Sequence, residues 1–119
     1  RLPEEKRQLR AYPVNTDGSL GDHEVIHDFG EHRGIDGMVL DADGNIVATA
    51  GYKAGGPGPM IYVFSASGEV LETHSTPFDR PTNCSFGGED LSTLYVTTGD
   101  GFLLRAFTER QGRLSYPKI

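Results

Sequence analysis

Residues 34–50 read GIDGMVLDADGNIVATA and give the clearest sign of the fold. Two short runs of β-forming residues flank an aspartate–glycine pair, whose glycine can take the positive φ that a tight hairpin requires. The same layout returns in residues 81–98, PTNCSFGGEDLSTLYVTT, so the chain repeats with a period of about 47 residues, inside the range of propeller blades. In this repeat Asp36 corresponds to Asn83.

The rest of the chain follows the same pattern of short runs rich in Val, Ile, Leu, Thr, Tyr and Phe, punctuated by 16 glycines and 7 prolines. This pattern predicts an all-β protein. Chain reversals between antiparallel strands are expected at the glycine-containing dipeptides 17–18, 43–44, 67–68, 100–101 and 111–112. Strands are expected at residues 8–14, 24–29, 37–40, 45–50, 60–64, 70–76, 84–86, 93–98, 102–107 and 113–116.

Grouped by fours, these strands predict one domain, a partial β-propeller over residues 1–119. Residues 1–33 are expected to form the outer half of a blade, residues 34–80 a complete first blade and residues 81–119 a complete second blade. About two and a half blades cannot close a propeller, which needs about four to eight. We therefore expect the chain to belong to a longer protein whose remaining blades cover the exposed blade faces, with self-association as the alternative.

The composition excludes several kinds of protein. A net charge of −6 and a pI of 5.1 leave no basic footprint for nucleic acid. No apolar run approaches the roughly 20 residues that a membrane span needs. The single cysteine, Cys84, excludes an internal disulfide framework and a CxxC metal or redox site. We expect neither nucleic acid nor a membrane as a partner.

Residues 23–27 match the HExxH motif of zinc proteases letter for letter. That motif needs a helix, on which residues four apart share a face and both imidazoles reach one zinc ion. Val25 and Ile26 favour a strand instead. In a strand His23 and His27 would stand roughly 13 Å apart, too far for one ion. We therefore expect a surface strand with two solvated histidines.

Asp36 is the strongest candidate functional residue, because its position precedes the innermost strand of a blade, where strand ends line the central channel. A carboxylate in a narrow channel costs on the order of several kcal/mol of desolvation unless it is paired or binds a cation. Divalent cations such as Ca²⁺ prefer oxygen ligands, and Asn83 offers an amide oxygen to the same channel. The alternative is that Asp36 is an Asx-type cap of the bend between Gly34 and Gly37.

Residues 51–59 are expected to form the loop between the second and third strands of the first blade. No Gly-Lys-Ser/Thr follows its GGPGP run, which argues against a phosphate cradle. Such a loop would let Tyr52 and Lys53 overhang one mouth of the channel and contact a ligand. The alternative is a solvent loop without a ligand. His32 and His74 have no partner in the sequence, and we expect them to be solvated.

Three pairs of motifs carry a family resemblance: GIDGM at 34–38 with DADGN at 41–45, IYVF at 61–64 with SGEV at 67–70, and PTNCSFGG at 81–88 with LYVT at 94–97. Together they resemble the C-terminal part of the gluconolactonase, regucalcin and senescence-marker-protein (SMP-30) family, over roughly residues 19–116. The resemblance implies a six-bladed propeller that hydrolyses sugar lactones with a divalent metal at the channel centre.

In that family the aspartate of the P-D-G-M motif binds the metal and is proposed to act as base on the attacking water. Asp36 matches it, although Ile35 replaces the usual proline. The resemblance therefore implies a metal-dependent lactonase-like hydrolase with a lactone substrate, in which Asp36 is catalytic and a metal ligand. We expect Asn83 beside the metal and Tyr52 and Lys53 at the substrate.

Ca²⁺ is the expected cofactor, with Zn²⁺, Mn²⁺ and Mg²⁺ as alternatives. The family's remaining ligands, a glutamate and two asparagines, come from earlier blades that this sequence does not contain. Two other functions stay open. The chain could belong to a non-catalytic binding propeller in which Asp36 is a structural cap, or it could be an inactive fragment.

Overall fold

The computed structural model describes residues 7–114, and every regular element among them is a β-strand. The strands are β1 (Gln8–Ala11), β2 (Glu24–Asp28), β3 (Ile35–Leu40), β4 (Ile46–Tyr52), β5 (Gly55–Phe64), β6 (Val70–Ser75), β7 (Pro81–Gly87), β8 (Thr93–Thr98) and β9 (Leu103–Phe107). The predicted all-β class is confirmed. Within residues 7–114 there is no helix long and apolar enough to cross a membrane.

The strands form three antiparallel sheets. β1 and β2 pair as a hairpin unit, β3-β4-β5-β6 form the four-stranded sheet of the first blade, and β7-β8-β9 form a three-stranded sheet in the second blade. A further strand was expected at residues 113–116. Arg113 and Leu114 belong to no strand, and the rest of that segment lies outside the described residues.

Most of the predicted chain reversals are confirmed by a glycine at positive φ, namely Gly18, Gly44, Gly68 and Gly101. The prediction for Gly112 was wrong. Its N–H donates to the carbonyl of Leu91 at 2.8 Å, and it forms an isolated antiparallel bridge with Asp41. A Cβ on Gly112 would lie 2.5 Å from Cβ of Phe86. This glycine therefore permits a close approach between segments and does not reverse the chain.

The connection between β4 and β5 also differs from the prediction of a loop at 51–59. β4 runs to Tyr52 and β5 begins at Gly55, so only two residues separate the strands. Regular pairing is interrupted between the Tyr52–Gly55 pair and the Ala50–Met60 pair. The prolines fall in that interruption, where no ladder hydrogen bond is lost. A glycine- and proline-rich run can therefore be part of a strand here.

Two apolar clusters hold the sheets together, one on each face of the first blade. Alternate side chains of a strand point to opposite faces, so neighbouring residues of β4 enter different clusters. The cluster between the two blades contains Val47, Ile61, Val63, Cys84, Leu94 and Val96. The cluster under the hairpin unit contains Leu9, Ala48, Ala50, Tyr62 and Phe64. The first blade is thus packed between two neighbouring sheets, as a propeller blade is.

Residues 24–27 of the HExxH motif lie on strand β2, as predicted, and His23 directly precedes the strand; none of them lies on a helix. His23 is exposed, with its ring centroid 5.3 Å from that of Tyr12. The prediction of a solvated His27 was wrong, because its half-buried ring lies 4.5 Å from Phe29 and 4.9 Å from Phe64. The zinc motif is therefore a coincidence of letters, and His27 belongs to an aromatic cluster.

Arg110, which follows β9, ties the second blade to the first. Its guanidinium donates to Asp41 at 3.1 Å and to Glu72 at 2.6 Å. Asp41 is 2 % exposed and also accepts the N–H groups of Asp43 and Asn45. Burial alone would raise the pKa of Asp41, but the hydrogen bonds from Asn45, Arg110 and Asp43 outweigh it and lower the pKa. Asp41 is therefore a fully satisfied structural carboxylate.

Candidate functional site

The candidate site lies at one end of the seam between the two blades. In antiparallel pairs one strand begins where its neighbour ends, so the start of β3 lies beside the end of β4. The start of β7 reaches the same place, because Arg33 donates to the carbonyls of both Gly51 and Pro81. Asp36, Tyr52 and their neighbours therefore share one end of the seam.

Asp36 occupies a β-bulge. Ile35 pairs with Ala50 and Gly37 pairs with Thr49, which leaves Asp36 as the extra residue. The fully buried Thr49 satisfies the backbone next to the bulge, because its hydroxyl accepts the N–H of Gly37 and donates to the Gly37 carbonyl, both at 3.1 Å. A bulge re-aims the side chain at the inserted position. The carboxylate of Asp36 is accordingly half-exposed, with a relative side-chain accessibility of 49 %.

Asn83 holds the corresponding place in the second blade, as the repeat predicts. The pair Gly37–Thr49 of the first blade matches the pair Cys84–Val96 of the second, with the same displacement of about 47 residues in both strands. Asp36 and Asn83 each precede the first member of these pairs. The register of the sheets therefore supports their equivalence.

The two blades differ in where the bulge falls. In the second blade the inserted residue is Thr82, and Asn83 pairs regularly with Thr97. The side-chain oxygen of Asn83 accepts the N–H of Cys84 at 2.9 Å. Asn83 is thus held by its own strand, whereas Asp36 projects from a bulge.

Asn83 packs directly against the residue that follows Asp36. A Cβ on Gly37 would lie 2.7 Å from Cα of Asn83 and 2.3 Å from its side-chain oxygen. Only glycine permits this approach of the two backbones. The structure therefore places Asn83 against the residue that follows Asp36.

Sequence reasoning missed Arg33, the residue that contacts Asp36 most directly. Its Nη2 donates to Oδ2 of Asp36 at 2.8 Å, and its Nη1 donates to Gly51 O at 2.5 Å and to Pro81 O at 3.3 Å. The side chain is 20 % exposed. The signal was an opposite charge three residues before Asp36, which is too common in sequences to stand out.

Tyr52 and Lys53 follow Gly51 at this end of the seam. Tyr52 is half-buried over Gly55, and Lys53 is exposed. The N–H of Lys53 donates to Oδ1 of Asp79 at 2.8 Å, which fixes the turn against the connection before β7. Their contact with a ligand stays a prediction.

The other two histidines are exposed, as predicted, but each touches a neighbour. The ring of His32 covers Gly56, since a Cβ there would lie 2.7 Å from its Cγ. His74 lies 3.5 Å from a carboxylate oxygen of Glu72. Neither is close to a group of possible metal ligands among residues 7–114.

The donors at this site suit a divalent cation in kind and fall short in number. Carboxylate and amide oxygens are the ligands that Ca²⁺ prefers, and it takes about six to eight of them. Within residues 7–114, Oδ1 of Asp36 has no hydrogen-bond partner. The described part of the chain contains no group of three or more His, Cys, Asp or Glu side chains placed to share a metal. Asp36 and Asn83 could therefore supply only part of a ligand set.

Two cavities in the described part of the chain lie at different interfaces, one between the hairpin unit and the start of β3 and the other between the two blades. A cavity of about 300 Å³ lies beside Asp36 and is also lined by Arg7, Gln8, Arg33, Gly34 and Ile35. A larger one of about 850 Å³ runs between the blades near Glu72 and Arg110 and touches none of the predicted site residues. The smaller cavity is the one relevant to the candidate site, because it exposes the carboxylate.

Antiparallel blades that pack face to face define a β-propeller protein, and the half-exposed carboxylate of Asp36 at one end of the seam is its candidate site. Residues 5–100 match the family model described as the SMP-30/Gluconolactonase/LRE-like region. The chain belongs to this family.

Relatives and solved structures agree with this assignment. The chain is 34 % identical over 92 residues to 6-deoxy-6-sulfogluconolactonase from Pseudomonas putida, covering 76 % of this chain and 30 % of the relative. The solved calcium-binding protein regucalcin from Agrobacterium tumefaciens is 25 % identical with a TM-score of 0.72, covering 90 % of this chain and 40 % of that one. A luciferin-regenerating enzyme shares the fold at 22 % identity and a TM-score of 0.78, covering 91 % of this chain and 40 % of that one.

These comparisons confirm the predicted propeller-type fold, of which the chain forms a part. It spans about a third of the length of the curated relatives it matches.

Proposed function

We propose that this chain is the C-terminal part of a metal-dependent hydrolase that opens a sugar lactone or a related ester. The observation that carries the proposal is Asp36, which is held through one oxygen at the end of the seam while its other oxygen has no hydrogen-bond partner among residues 7–114, and Asn83 packs against the next residue, Gly37. The family assignment supports it, because a relative is named as a lactonase and a structural neighbour is described as calcium-binding.

In this mechanism Asp36 and Asn83 would be among the residues that hold the cation, and the carboxylate of Asp36 takes a proton from the attacking water. The bound cation supplies Lewis-acid polarisation of the ester carbonyl and makes the water more acidic. The water oxygen bonds to the carbonyl carbon, the ring C–O bond breaks, and Asp36 returns the proton to the departing ring oxygen. The product is the open hydroxy acid. Asn83 contributes its amide oxygen, and Tyr52 and Lys53 contact the lactone at the mouth.

One observation favours a second candidate, a non-catalytic binding propeller. The ion pair between Arg33 and Asp36 neutralises the carboxylate, as it would for a structural cap. In that case the mouth would hold a sugar or a peptide without chemistry. An inactive fragment is the third possibility for the 119 residues taken alone.

The test uses the complete polypeptide, meaning the product of the whole reading frame that contains these 119 residues. Hydrolysis of δ-gluconolactone is followed by acid release above the spontaneous rate, before and after EDTA and after Ca²⁺ is added back. We expect activity that EDTA abolishes and Ca²⁺ restores. Activity that resists EDTA would contradict the metal dependence, and no activity with any of Ca²⁺, Zn²⁺, Mn²⁺ and Mg²⁺ would favour the binding propeller.

We further propose that the open sheet faces are covered by the remaining blades of the complete polypeptide, or by self-association when the chain is alone. Leu103 and Phe107 of β9 are 69 % and 80 % exposed, an unusual amount for large apolar side chains. Light scattering of the isolated 119 residues should show oligomers, and a cooperatively folding monomer would contradict this.

A further inference from the structure

Arg33 and Arg80 occupy equivalent positions in the two repeats, three residues before Asp36 and Asn83 respectively. Their contacts differ. Arg33 reaches both blades and the carboxylate of Asp36. The exposed side chain of Arg80 lies against Gly99, where a Cβ would be 3.0 Å from its Nε. The same residue type at the same place in the repeat therefore has two roles.

Both backbone anchors of Arg33 are rigid. Gly51 has a φ of 80°, and a Cβ on it would lie 2.0 Å from the carbonyl oxygen of Gly58, so its conformation is set by a backbone approach that only glycine allows. Pro81 is among the most completely buried side chains of the protein, and its ring fixes φ. A guanidinium bonded to these two carbonyls has little freedom left.

The backbone of Asp36 is fixed from the other side. Thr49 holds both polar groups of Gly37, and Asn83 packs against the Cα of the same glycine. With the backbone set, the remaining freedom of Asp36 is the rotation of its carboxylate. The bond from Arg33 to Oδ2 removes that freedom as well.

We propose that Arg33 is a positioning residue of the site: it occupies Oδ2 of Asp36 and leaves Oδ1 as the one oxygen for the cation and the attacking water. This inference rests on the proposed function. Asp36 would then offer a single oxygen of fixed orientation to a ligand. A lysine could not reproduce the arrangement fully, because its ammonium is a point charge while the guanidinium presents donors in a planar fork.

The experiment compares Arg33→Met, Arg33→Lys and the matched control Arg80→Met in the complete polypeptide. For Arg33→Met we expect kcat for δ-gluconolactone to fall about 10- to 100-fold, the usual cost of losing a group that orients a metal ligand, with KM changed by less than about threefold. Arg33→Lys should recover part of this loss, and Arg80→Met should stay within about twofold of the unmutated protein.

Calorimetric titration with Ca²⁺ alone gives a readout independent of turnover. We expect the Kd to weaken several-fold in Arg33→Met although a positive charge has been removed, because the orientation of Asp36 is lost. If Arg33→Met lowered only the Tm and left kcat and Kd unchanged, Arg33 would be a link between blades and the proposal would be wrong. Tighter Ca²⁺ binding with unchanged kcat would also overturn it.

Failure of the proposed function would appear differently, as an unmutated protein that neither hydrolyses the lactone nor binds Ca²⁺. The positioning of Asp36 is then read by NMR of the guanidinium groups in the same protein. Restricted rotation gives separate Nη signals for Arg33, and the Nη2 signal should shift in Asp36→Ala because its bond to the carboxylate is lost, while the signals of Arg80 should be averaged throughout. An averaged Arg33 signal in the unmutated protein would contradict the proposal.

Discussion

Strand β3 begins with Asp36 as its second residue and is followed directly by Asp41, and each of these aspartates bonds an arginine that links the two blades. At the start of the strand Asp36 bonds Arg33 through one oxygen and keeps 49 % of its side-chain accessibility. Just beyond the other end Asp41 bonds Arg110, is 1 % accessible and accepts hydrogen bonds on both oxygens. Both residues are carboxylates paired with an arginine, but only the carboxylate of Asp36 is exposed to a ligand.

The difference separates a carboxylate that stabilises the fold from one that can act on a ligand. Asp41 could bind a cation only by giving up the hydrogen bonds that it accepts. Its carboxylate therefore stabilises the β3–β4 turn and the seam between the blades. Asp36 can accept a ligand on Oδ1 without breaking any contact in the described structure. We therefore expect Asp36 to contribute to ligand binding and catalysis, and Asp41 to contribute to the stability of the fold.

The largest expected effect is on catalysis at the Asp36 end. Asp36→Asn in the complete polypeptide keeps the shape but removes the charge and the base, so kcat should fall about 10²- to 10⁴-fold. Stability should change by about 1 kcal/mol or less, because the ion pair with Arg33 is half-exposed. Lactone kinetics and urea unfolding measure the two effects. A variant with near-normal kcat would refute the catalytic role.

At the other end of β3 the expected effect is on stability. Asp41→Ala leaves Arg110 with Glu72 alone and removes the acceptor of two backbone N–H groups, at a cost of about 3–5 kcal/mol, as for breaking other buried pairs. Urea unfolding of the complete polypeptide checks this value. The kcat of the folded protein should not change. A large loss of kcat with normal stability would reverse the roles of the two ends.

A smaller effect tests the bulge that presents Asp36. Thr49→Val keeps the shape but leaves the N–H of Gly37 without its hydroxyl partner, at a cost of about 1–3 kcal/mol in urea unfolding. Valine stands at the equivalent position, Val96, whose partner Cys84 is preceded by a regular pair because the bulge of that blade lies one residue earlier, at Thr82. Thr97→Val is the matched control and should cost less, because its hydroxyl is exposed. Equal costs would show that Thr49 has no special role at the bulge.

Much of the fold was predictable from the sequence, because hydrophobic alternation and turn glycines act locally. The strand positions and the equivalence of Asp36 and Asn83 followed from the repeat. The bulge at Asp36 did not, since it depends on whether Thr49 or a valine faces it across the sheet. The strand through Gly55 was missed because its prolines are tolerated only where the register of two strands breaks.

Arg33 is the residue of the candidate site that could not be predicted from the sequence. Its importance comes from the carbonyls of Gly51 and Pro81, which lie 18 and 48 residues away along the chain. No local pattern distinguishes it from Arg80. Asn83 lies against the residue that follows Asp36, but the bond from Arg33 to Asp36 could be recognised only from the packing of two blades.

The most direct test of the account is calorimetric titration of Ca²⁺ into the complete polypeptide with Asp36→Asn and, in parallel, Asp41→Asn. The account predicts that Asp36→Asn weakens the Kd by at least about tenfold, as expected when a metal ligand or its support is lost, while Asp41→Asn leaves it within about twofold. Asn83→Ala should fall between the two. Unchanged Ca²⁺ affinity in Asp36→Asn, or a greater loss in Asp41→Asn, would contradict the assignment of function to the Asp36 end.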